Sequence, residues 1–347
     1  MLHLDGSSFS GSGTIVRFGV PLAALTGQDL HLTNVRARRH PPGLRPQHLK
    51  AVEAVTQLCQ GQLEGGIVGS RELFFHPGRL RQEGNFQWDI GTAGSTTMLA
   101  LALLPMAAFA PGPQTLQLTG GLFQDFAPSA FHVQHALLPL VRRMGLHADL
   151  RILRPGYVPT GGGSITLTVQ PVEGMLCSLM LPKRSGDLRY WGLALSSHLQ
   201  QRQVSQRMAD ACQAALKKHG LHADICLLNE KTAPQAGAAL ALFAEGPDAL
   251  LGADRAGAVH RRAEAIGRFV VQTLLADLAS GATVDRHLAD QIIIFAALAS
   301  GTSVLRLPQV TEHVYTNIWL VETILGARAH LEGHVLRIQG VGYTASR

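Results

Sequence analysis

The sequence predicts an α/β (α+β) fold in which a small unit of helices packed on a sheet is repeated. One phrase, Gly-Leu-His-Ala-Asp, occurs at residues 145–149 and again at 220–224, each time after a helical stretch. Glycine is favoured as the left-handed residue that ends a helix, and the residues that follow are typical of a strand. The same order of helix, glycine and strand recurs at Gly61 and Gly326. These glycines are too widely spaced for a solenoid, which favours a modular protein with a duplicated unit.

Hydrophobic periodicity supports the helices and strands of these units. Apolar residues recur every three residues along 49–59, and every three or four along 133–144, which places them on one side of a helix. Pro139 is expected to kink the second helix, because proline has no N–H to donate and its ring crowds the preceding turn. Alternating apolar and polar residues predict a strand at 165–169, and a further strand is predicted at 334–339.

A change in residue composition along the chain predicts two domains. The segment 182–275 begins polar, continues helical and basic, and then becomes rich in alanine. We interpret it as a smaller inserted α/β domain. The remainder, residues 1–181 and 276–347, would form the core of repeated helix-on-sheet units.

Composition excludes several classes of protein. With 46% hydrophobic and 16% charged residues, the chain is neither disordered nor a coiled coil. The net charge of +6 fits an anionic partner, although solubility alone would also explain it. Four scattered cysteines without a CxxC pair indicate a reducing compartment rather than a zinc site or disulfide scaffold. The N-terminus does not resemble a signal peptide, and the apolar run 98–110 is too short to span a bilayer. We therefore expect a cytoplasmic protein with no membrane partner.

Two loops could bind phosphate. Residues 5–17 form a Gly/Ser loop before a predicted helix, where small residues let backbone N–H groups approach an anion. A flexible turn and an exposed Arg17 are the alternative. The second loop, residues 36–48, combines arginines with prolines that stiffen it, which favours phosphate binding over a solvated run of charge. Pro46 is expected to open the helix that follows.

Three further segments could carry chemistry. Residues 91–97 predict a helix start with small hydroxyl residues, for which simple capping is an alternative. In the segment 287–291, Asp290 and Gln291 could bind a ligand or cap the helix that follows. In the segment 312–317, His313 lies between a predicted strand and a helix expected to begin near Asn317. Neutral imidazole is nucleophilic near pH 7 and can attack phosphorus, although most lone histidines are structural.

Taken in order, these segments resemble the RNA 3′-terminal phosphate cyclase family over most of the chain. The matching positions are Asp5, Gly6, Gly11, Gly13, Arg17, Arg36, Arg39, Pro42, Gly43, Leu44, Gln47, His48, the run 91–95, Gly120, Gly121, Ala127, Pro128, Pro159, the run 161–163, the run 288–291, His313, Thr316 and Asn317. The ordered set is specific, whereas each piece alone is weak.

The resemblance implies units of two helices on a four-stranded sheet, with a related small domain inserted. It also implies that His313 attacks the α-phosphorus of ATP, that AMP then passes to an RNA 3′-phosphate, and that the 2′-OH closes a 2′,3′-cyclic phosphate. Mg²⁺ or Mn²⁺ would assist, and a homodimer could form through an exposed sheet edge. The phosphate-binding positions would be Arg17, Arg36, Arg39 and Gln47. The nucleotide-binding positions would be Leu101, His287, Leu288, Ala289, Asp290 and Gln291.

The chain also departs from the family pattern. Ser10 stands where most members have a glutamate proposed as a metal ligand, and Mg²⁺ prefers carboxylate oxygen. Leu101 replaces a frequent glutamine, and His287 replaces a frequent tyrosine beside the nucleotide. Phe131 and His132 stand where the family has an acidic residue followed by an aromatic one.

Two other functions fit parts of the pattern. A non-catalytic cyclase-like protein would bind RNA in ribosome assembly, which the substitutions at Ser10 and Leu101 favour and the presence of His313 opposes. A carboxyvinyl transferase is also built from repeated helix-on-sheet units, but the His-x-x-Thr-Asn segment at 313–317 belongs to the cyclase pattern.

Overall fold

Four four-stranded sheets, each with two helical segments, form the protein in a computed structural model that describes residues 1–345. The predicted α+β architecture of repeated helix-on-sheet units is thereby confirmed. Among residues 1–345, no helix is both long and apolar enough to cross a membrane.

The first two units share one topology. In each sheet the first two strands are parallel and a hairpin adds two antiparallel strands. Across each sheet the spatial order is first, second, fourth and third strand. The first unit contains β1 (Leu2–Asp5), α1 (Gly13–Thr26), β2 (Leu30–Thr33), α2 (Pro46–Leu58), β3 (Gln62–Glu64) and β4 (Leu73–His76). The second contains β5 (Gly84–Asp89), α3 (Thr96–Ala108), β6 (Gln114–Gly120), α4 (Ala130–His132), a π-helical turn (Val133–Leu137), α5 (Leu138–Arg143), β7 (Ala148–Arg154) and β8 (Gly163–Val169).

The last unit has the same strand pairing but is interrupted after its first strand. Its sheet has the order β15-β16-β14-β9, and the strand that begins it pairs in parallel with the strand that follows the interruption. Its elements are β9 (Met180–Leu181), α8 (Leu288–Leu298), β14 (Thr302–Arg306), α9 (Glu312–Leu325), β15 (Arg328–Glu332) and β16 (Val335–Gln339).

The interruption carries its own sheet and core. Its strands have the order β11-β10-β12-β13, and its two helices pack on a separate hydrophobic cluster that includes Met208, Leu240 and Val270. The elements are β10 (Arg189–Ser197), a short 3₁₀ turn (Gln200–Arg202), α6 (Val204–Lys217), β11 (Asp224–Glu230), β12 (Gly237–Gly246), β13 (Ala249–Ala256) and α7 (Ala263–Ala279). The division into a core of 1–181 and 276–347 with an insert of 182–275 stays a prediction, and α7 extends past residue 275.

The glycine that follows each helix differs in role between units. Gly145, Gly220 and Gly326 have positive φ and end their helices in the left-handed conformation, as expected. The expectation is wrong for the first unit, where Gln60 takes the positive φ of 52° and Gly61 does not. A Cβ at Gly61 would lie 2.6 Å from the carbonyl oxygen of His76, so glycine is needed there for close approach of two backbones.

Two local boundaries bear on the site. Sequence predicted an irregularity of the helix at Pro139. The structure has a π-helical turn, Val133–Leu137, just before this proline. The helix expected to begin near Asn317 instead begins at Glu312, because the hydroxyl of Thr311 accepts a hydrogen bond from the N–H of Val314 and caps it. His313 therefore lies in the first turn of α9 rather than in a loop.

A buried carboxylate joins the inserted sheet to the core. The carboxylate of Asp285 accepts hydrogen bonds from His132 Nε2 at 2.9 Å and from the N–H of Gly252 in β13 at 2.8 Å. It also accepts from the N–H groups of His287 and Leu288, at the start of α8. Burial alone would raise the pKa of Asp285, but His132 and these donors lower it to about 2.

We expect Asp285→Ala to destabilise the protein by about 3–5 kcal/mol, because it leaves His132 and several amides buried without their acceptor. Urea unfolding measures the loss. The exposed Asp149→Ala variant is the matched control and should change stability by less than about 0.5 kcal/mol. Equal effects of the two substitutions would contradict this account of Asp285.

Candidate functional site

An open cleft of about 590 Å³ lies where the first turns of five helices meet: α1, α2, α3, α8 and α9. Most of the predicted site residues line it. These are Arg17, Arg36, Arg39, Gln47, Leu101, His287, Asp290, Gln291 and His313. Three other residues are placed elsewhere: Leu288 and Ala289 are buried in the core, and Ser10 is buried behind the cleft.

His313 is held by a residue of the opening loop. Its Nδ1 lies 3.0 Å from the hydroxyl oxygen of Thr14, and the same oxygen accepts a hydrogen bond from Arg17 Nη2 at 3.3 Å. A threonine oxygen has two lone pairs and can accept from both the ring N–H and the guanidinium. This contact engages Nδ1 and leaves Nε2 as the ring nitrogen available to a ligand.

The surroundings keep His313 neutral. Burial lowers its pKa to about 4, and the positive charges of Arg17 and Arg39 act in the same direction. Arg17 itself stays protonated at neutral pH, because burial lowers its pKa only to about 10 and Asp290 opposes that shift. Burial raises the pKa of Asp290 to about 7 in spite of Arg17, so this carboxyl titrates near neutral pH.

The arginine loop is fixed by its own backbone. Nη1 of Arg36 donates to the carbonyl oxygens of Pro41 at 3.0 Å and of Gly43 at 2.8 Å. Gly43 has a φ of 81°, and a Cβ there would lie 2.3 Å from the carbonyl oxygen of Gly69, so only glycine fits this turn. Arg39 is exposed at the cleft. The loop thus presents guanidinium groups with little rearrangement.

Gln47 connects two of the helix starts. Its Oε1 accepts a hydrogen bond from the N–H of Ser95 at 3.0 Å. Ser95 is the N-cap of α3, and its hydroxyl accepts from the N–H of Met98, so the predicted helix start at 91–97 is a capped one. Pro46 opens α2, as predicted.

The first turns of α9 are tied to both neighbouring segments. Thr316 Oγ1 donates to Ser10 Oγ at 2.9 Å, and Asn317 Nδ2 donates to the carbonyl oxygen of Asp290 at 2.7 Å. Both residues follow His313 within about one helical turn. They therefore fix the histidine against the opening loop and against α8.

Sequence reasoning assigned no separate role to two residues of the cleft. His48 is buried, burial and nearby arginines lower its pKa to about 3, and its Nδ1 has no hydrogen-bond partner. A Cβ at Gly13 would lie 2.1 Å from His48 Nε2, so the glycine that starts α1 makes room for it. The other residue is Thr14. Its signal was weak, because a hydroxyl in a Gly/Ser loop is common.

Comparisons with known proteins show the family of the chain. The family model described as RNA 3′-terminal phosphate cyclase matches residues 8–331. The chain belongs to this family. It is 36% identical to the RNA 3′-terminal phosphate cyclase of Hyperthermus butylicus, with complete coverage of both chains. It is also 36% identical to the protein of that name from Nitrosospira multiformis, over 98% of this chain and 96% of the relative.

A third cyclase relative, from Pyrococcus furiosus, is 34% identical over 96% of each chain. Among solved structures, the enolpyruvyl transferase NikO from Streptomyces tendae aligns over 94% of this chain and 80% of its own. The identity is 11% and the TM-score 0.22, a similarity too low to carry an argument.

Two departures from the cyclase pattern contact each other. The ring centroids of His132 and His287 are 5.4 Å apart in an edge-on arrangement, and His132 also bonds Asp285. His132 and the charge of Arg286 help burial to lower the pKa of His287. The substitutions at 132 and 287 thus form one cluster beside the cleft. Leu101, a third departure, presents an apolar side chain to it.

The residues around Ser10 do not fit a metal site built by the protein. Ser10 Oγ lies 3.0 Å from Ser12 Oγ and 2.9 Å from Thr316 Oγ1, so this hydroxyl is engaged by two other hydroxyls and supplies no carboxylate oxygen for a metal ion. Within residues 1–345, no cluster of three or more His, Cys, Asp or Glu side chains could hold a metal ion. The expected requirement for Mg²⁺ or Mn²⁺ stays a prediction.

We expect the imidazole of His313 to titrate near pH 4 rather than near 6.5, which NMR of histidine-labelled protein would measure. Arg17→Gln should raise this pKa, because loss of a neighbouring positive charge makes protonation of the ring easier. Arg151→Gln, on exposed β7, is the control and should leave the titration unchanged. A wild-type value near 6.5 would contradict the electrostatic account.

Proposed function

We propose that the protein converts an RNA 3′-terminal phosphate into a 2′,3′-cyclic phosphodiester, using ATP and a covalent histidine–AMP intermediate. Membership of the family supports cyclase activity in general. The observation that carries the covalent mechanism is the neutral imidazole of His313 in an arginine-lined cleft.

The reaction proceeds in three steps. Nε2 of His313 attacks the α-phosphorus of ATP, an N–P bond forms, and pyrophosphate leaves. An oxygen of the RNA 3′-phosphate then attacks the same phosphorus, the N–P bond breaks, and RNA–AMP anhydride forms. The ribose 2′-OH finally attacks the 3′-phosphorus, the bond from that phosphorus to the bridging oxygen breaks, AMP leaves, and the hydroxyl proton passes to solvent. The second step turns an oxygen of the RNA 3′-phosphate, a poor leaving group, into AMP, a good one, and the covalent intermediate divides the transfer into easier steps.

Thr14 prepares the nucleophile. If the ring proton lies on Nδ1 and is donated to Thr14 Oγ1, Nε2 carries the lone pair that attacks phosphorus. A pKa of about 4 keeps that lone pair free at neutral pH. Thr14 is therefore a positioning residue for His313.

The cationic side chains bind phosphate. Arg17, Arg36 and Arg39 line the cleft and would neutralise the charge that builds up on the triphosphate and on the leaving pyrophosphate. The unpaired N–H groups at the helix N-termini add to this effect. The segment 287–291 and Leu101 would contact the nucleoside.

A second candidate is the non-catalytic RNA-binding protein. It is favoured by Ser10, which gives no carboxylate where most cyclases have a glutamate. It is opposed by His313 and by the arginines that share its cleft. The carboxyvinyl transferase reading does not survive the family assignment. A cytoplasmic location and a homodimer stay predictions.

We expect α-phosphate-labelled ATP to label the wild-type protein, with a bond that is labile to acid and stable to alkali. His313→Ala should abolish the label, because no nucleophile remains, and His147→Ala on an exposed turn should retain it. Denaturing electrophoresis measures both. A folded His313→Ala protein that still carries AMP would overturn the assignment, and absence of label from wild type would favour the RNA-binding function.

We expect Arg39→Ala to weaken binding of ATP or of the RNA end by about tenfold or more, because a charge-assisted contact to phosphate is lost. Arg81→Ala is the matched control, since Arg81 donates to the carbonyl oxygen of Gln57 and lies outside the cleft. Titration of each variant with ATP and with 3′-phosphorylated RNA measures the effect. Equal losses would count against a role of the arginine loop.

A further inference from the structure

Phe126 exposes its whole side chain at the cleft. Its relative exposure is 100%, the highest among the exposed large hydrophobic residues, and it lines the cleft together with its neighbours in the loop 124–128. A phenyl ring left entirely in water is unfavourable for the free protein. Neither His313 nor the phosphate-binding arginines explain why this position carries a large aromatic group.

The backbone at this exposed residue has an unusual conformation. Phe126 has a φ of 67°, a left-handed conformation that is strained for a bulky residue. The loop is held on both sides of it. Before it, Asp125 accepts hydrogen bonds from Arg261 at 2.7 and 3.0 Å and lies 3.4 Å from Arg255. After it, the N–H of Ser129 donates to Asp254 at 2.8 Å.

These anchors all belong to the inserted segment. Phe123 and Ala127 are buried, so the ring of Phe126 stands between two fixed points of the chain. Strain persists in a protein only where the surroundings enforce it, and such positions cluster at ligand contacts. The loop 124–128 therefore holds the exposed aromatic ring of Phe126 in a fixed position.

The chemistry of the cleft identifies the ligand class. Beside arginines that bind phosphate, an exposed aromatic ring fits a planar nucleobase, which stacks on it in any sequence. Two nucleobases enter the reaction, that of ATP and that of the RNA end. ATP can be enclosed against the apolar side chains of Leu101, Met98 and Pro128, whereas the RNA chain must continue from the cleft into solvent, to which Phe126 is exposed.

We propose that Phe126 stacks on a nucleobase at the 3′ end of the RNA and so orients the terminal phosphate toward the cleft. This inference rests on the proposed function, because it presumes that RNA is the substrate. Stacking on every base would give affinity without sequence preference.

The test uses the full chain and four variants. Each protein is combined with 3′-phosphorylated RNA that carries all its bases, and with 3′-phosphorylated RNA whose last two nucleotides lack bases (abasic RNA). Phe126→Ala removes the ring, Phe126→Leu keeps apolar volume without an aromatic face, and Phe126→Tyr keeps the face. Phe74→Ala, at a partly exposed aromatic residue of β4 outside the cleft, is the matched control. The readouts are RNA affinity by fluorescence anisotropy without ATP, the KM for RNA in cyclisation, and AMP labelling.

For 3′-phosphorylated RNA, Phe126→Ala and Phe126→Leu should weaken binding and raise KM by about tenfold, the size typical of one stacked base. Phe126→Tyr and Phe74→Ala should behave as wild type. Abasic RNA should bind wild type about tenfold more weakly, and Phe126→Ala should cause no further loss with it. AMP labelling of His313 should be unchanged in all variants.

Two results would overturn the inference. If Phe126→Ala lowers AMP labelling and raises the ATP concentration needed for it, the ring binds the nucleotide instead of RNA. If Phe126→Ala and the loss of the bases weaken RNA binding additively, or if neither weakens it, the ring and the bases are not in contact. RNA affinity measured by anisotropy does not require ATP, so it still tests the contact between Phe126 and RNA if the wild-type protein fails to label with AMP. Failure of the cyclase mechanism can therefore be distinguished from failure of this inference.

Discussion

The cleft depends on the meeting of five helix N-termini from three of the four units. The first turns of a helix leave N–H groups without partners, and the helix dipole makes that end positive. Side-chain bonds hold the ends together: Gln47 joins α2 to α3, and Asn317 joins α9 to α8. The arginines of the loop before α2 add full charges to the same space. An anion is the ligand that this arrangement favours most.

The same positive potential prepares the histidine. An exposed imidazole would be partly protonated near neutral pH, but burial and neighbouring guanidinium groups hold the pKa of His313 at about 4. Binding of phosphate and activation of the nucleophile therefore have one electrostatic cause. Asp290, with a pKa raised to about 7, is only partly ionised at neutral pH and offsets part of this potential. An acidic substitution near Arg17 would damage both functions at once.

The sequence predicted the units because their determinants are local. Periodic apolar residues and helix-ending glycines act within about one turn, and most phosphate-binding candidates carried a motif. The expected start of α9 near Asn317 was wrong because the hydroxyl of Thr311 caps the helix earlier in the chain. The contact between Thr14 and His313 joins residues 299 positions apart, and that between Asp125 and Arg261 spans 136. Such pairs leave no periodic signal in one sequence, so neither they nor the exposure of Phe126 could be predicted.

The departures from the cyclase pattern are better understood as linked changes than as separate losses. A histidine at 132 would be costly in the core alone, yet it pairs with Asp285, whose carboxylate also receives N–H groups from β13 and from the start of α8. His287 then sits edge-on to His132 at the cleft. One buried carboxylate therefore connects the inserted sheet to the segment beside the nucleotide. A change in the packing of the insert would reach the cleft through Asp285, whereas His313, held by Thr14 and α9, would keep its position.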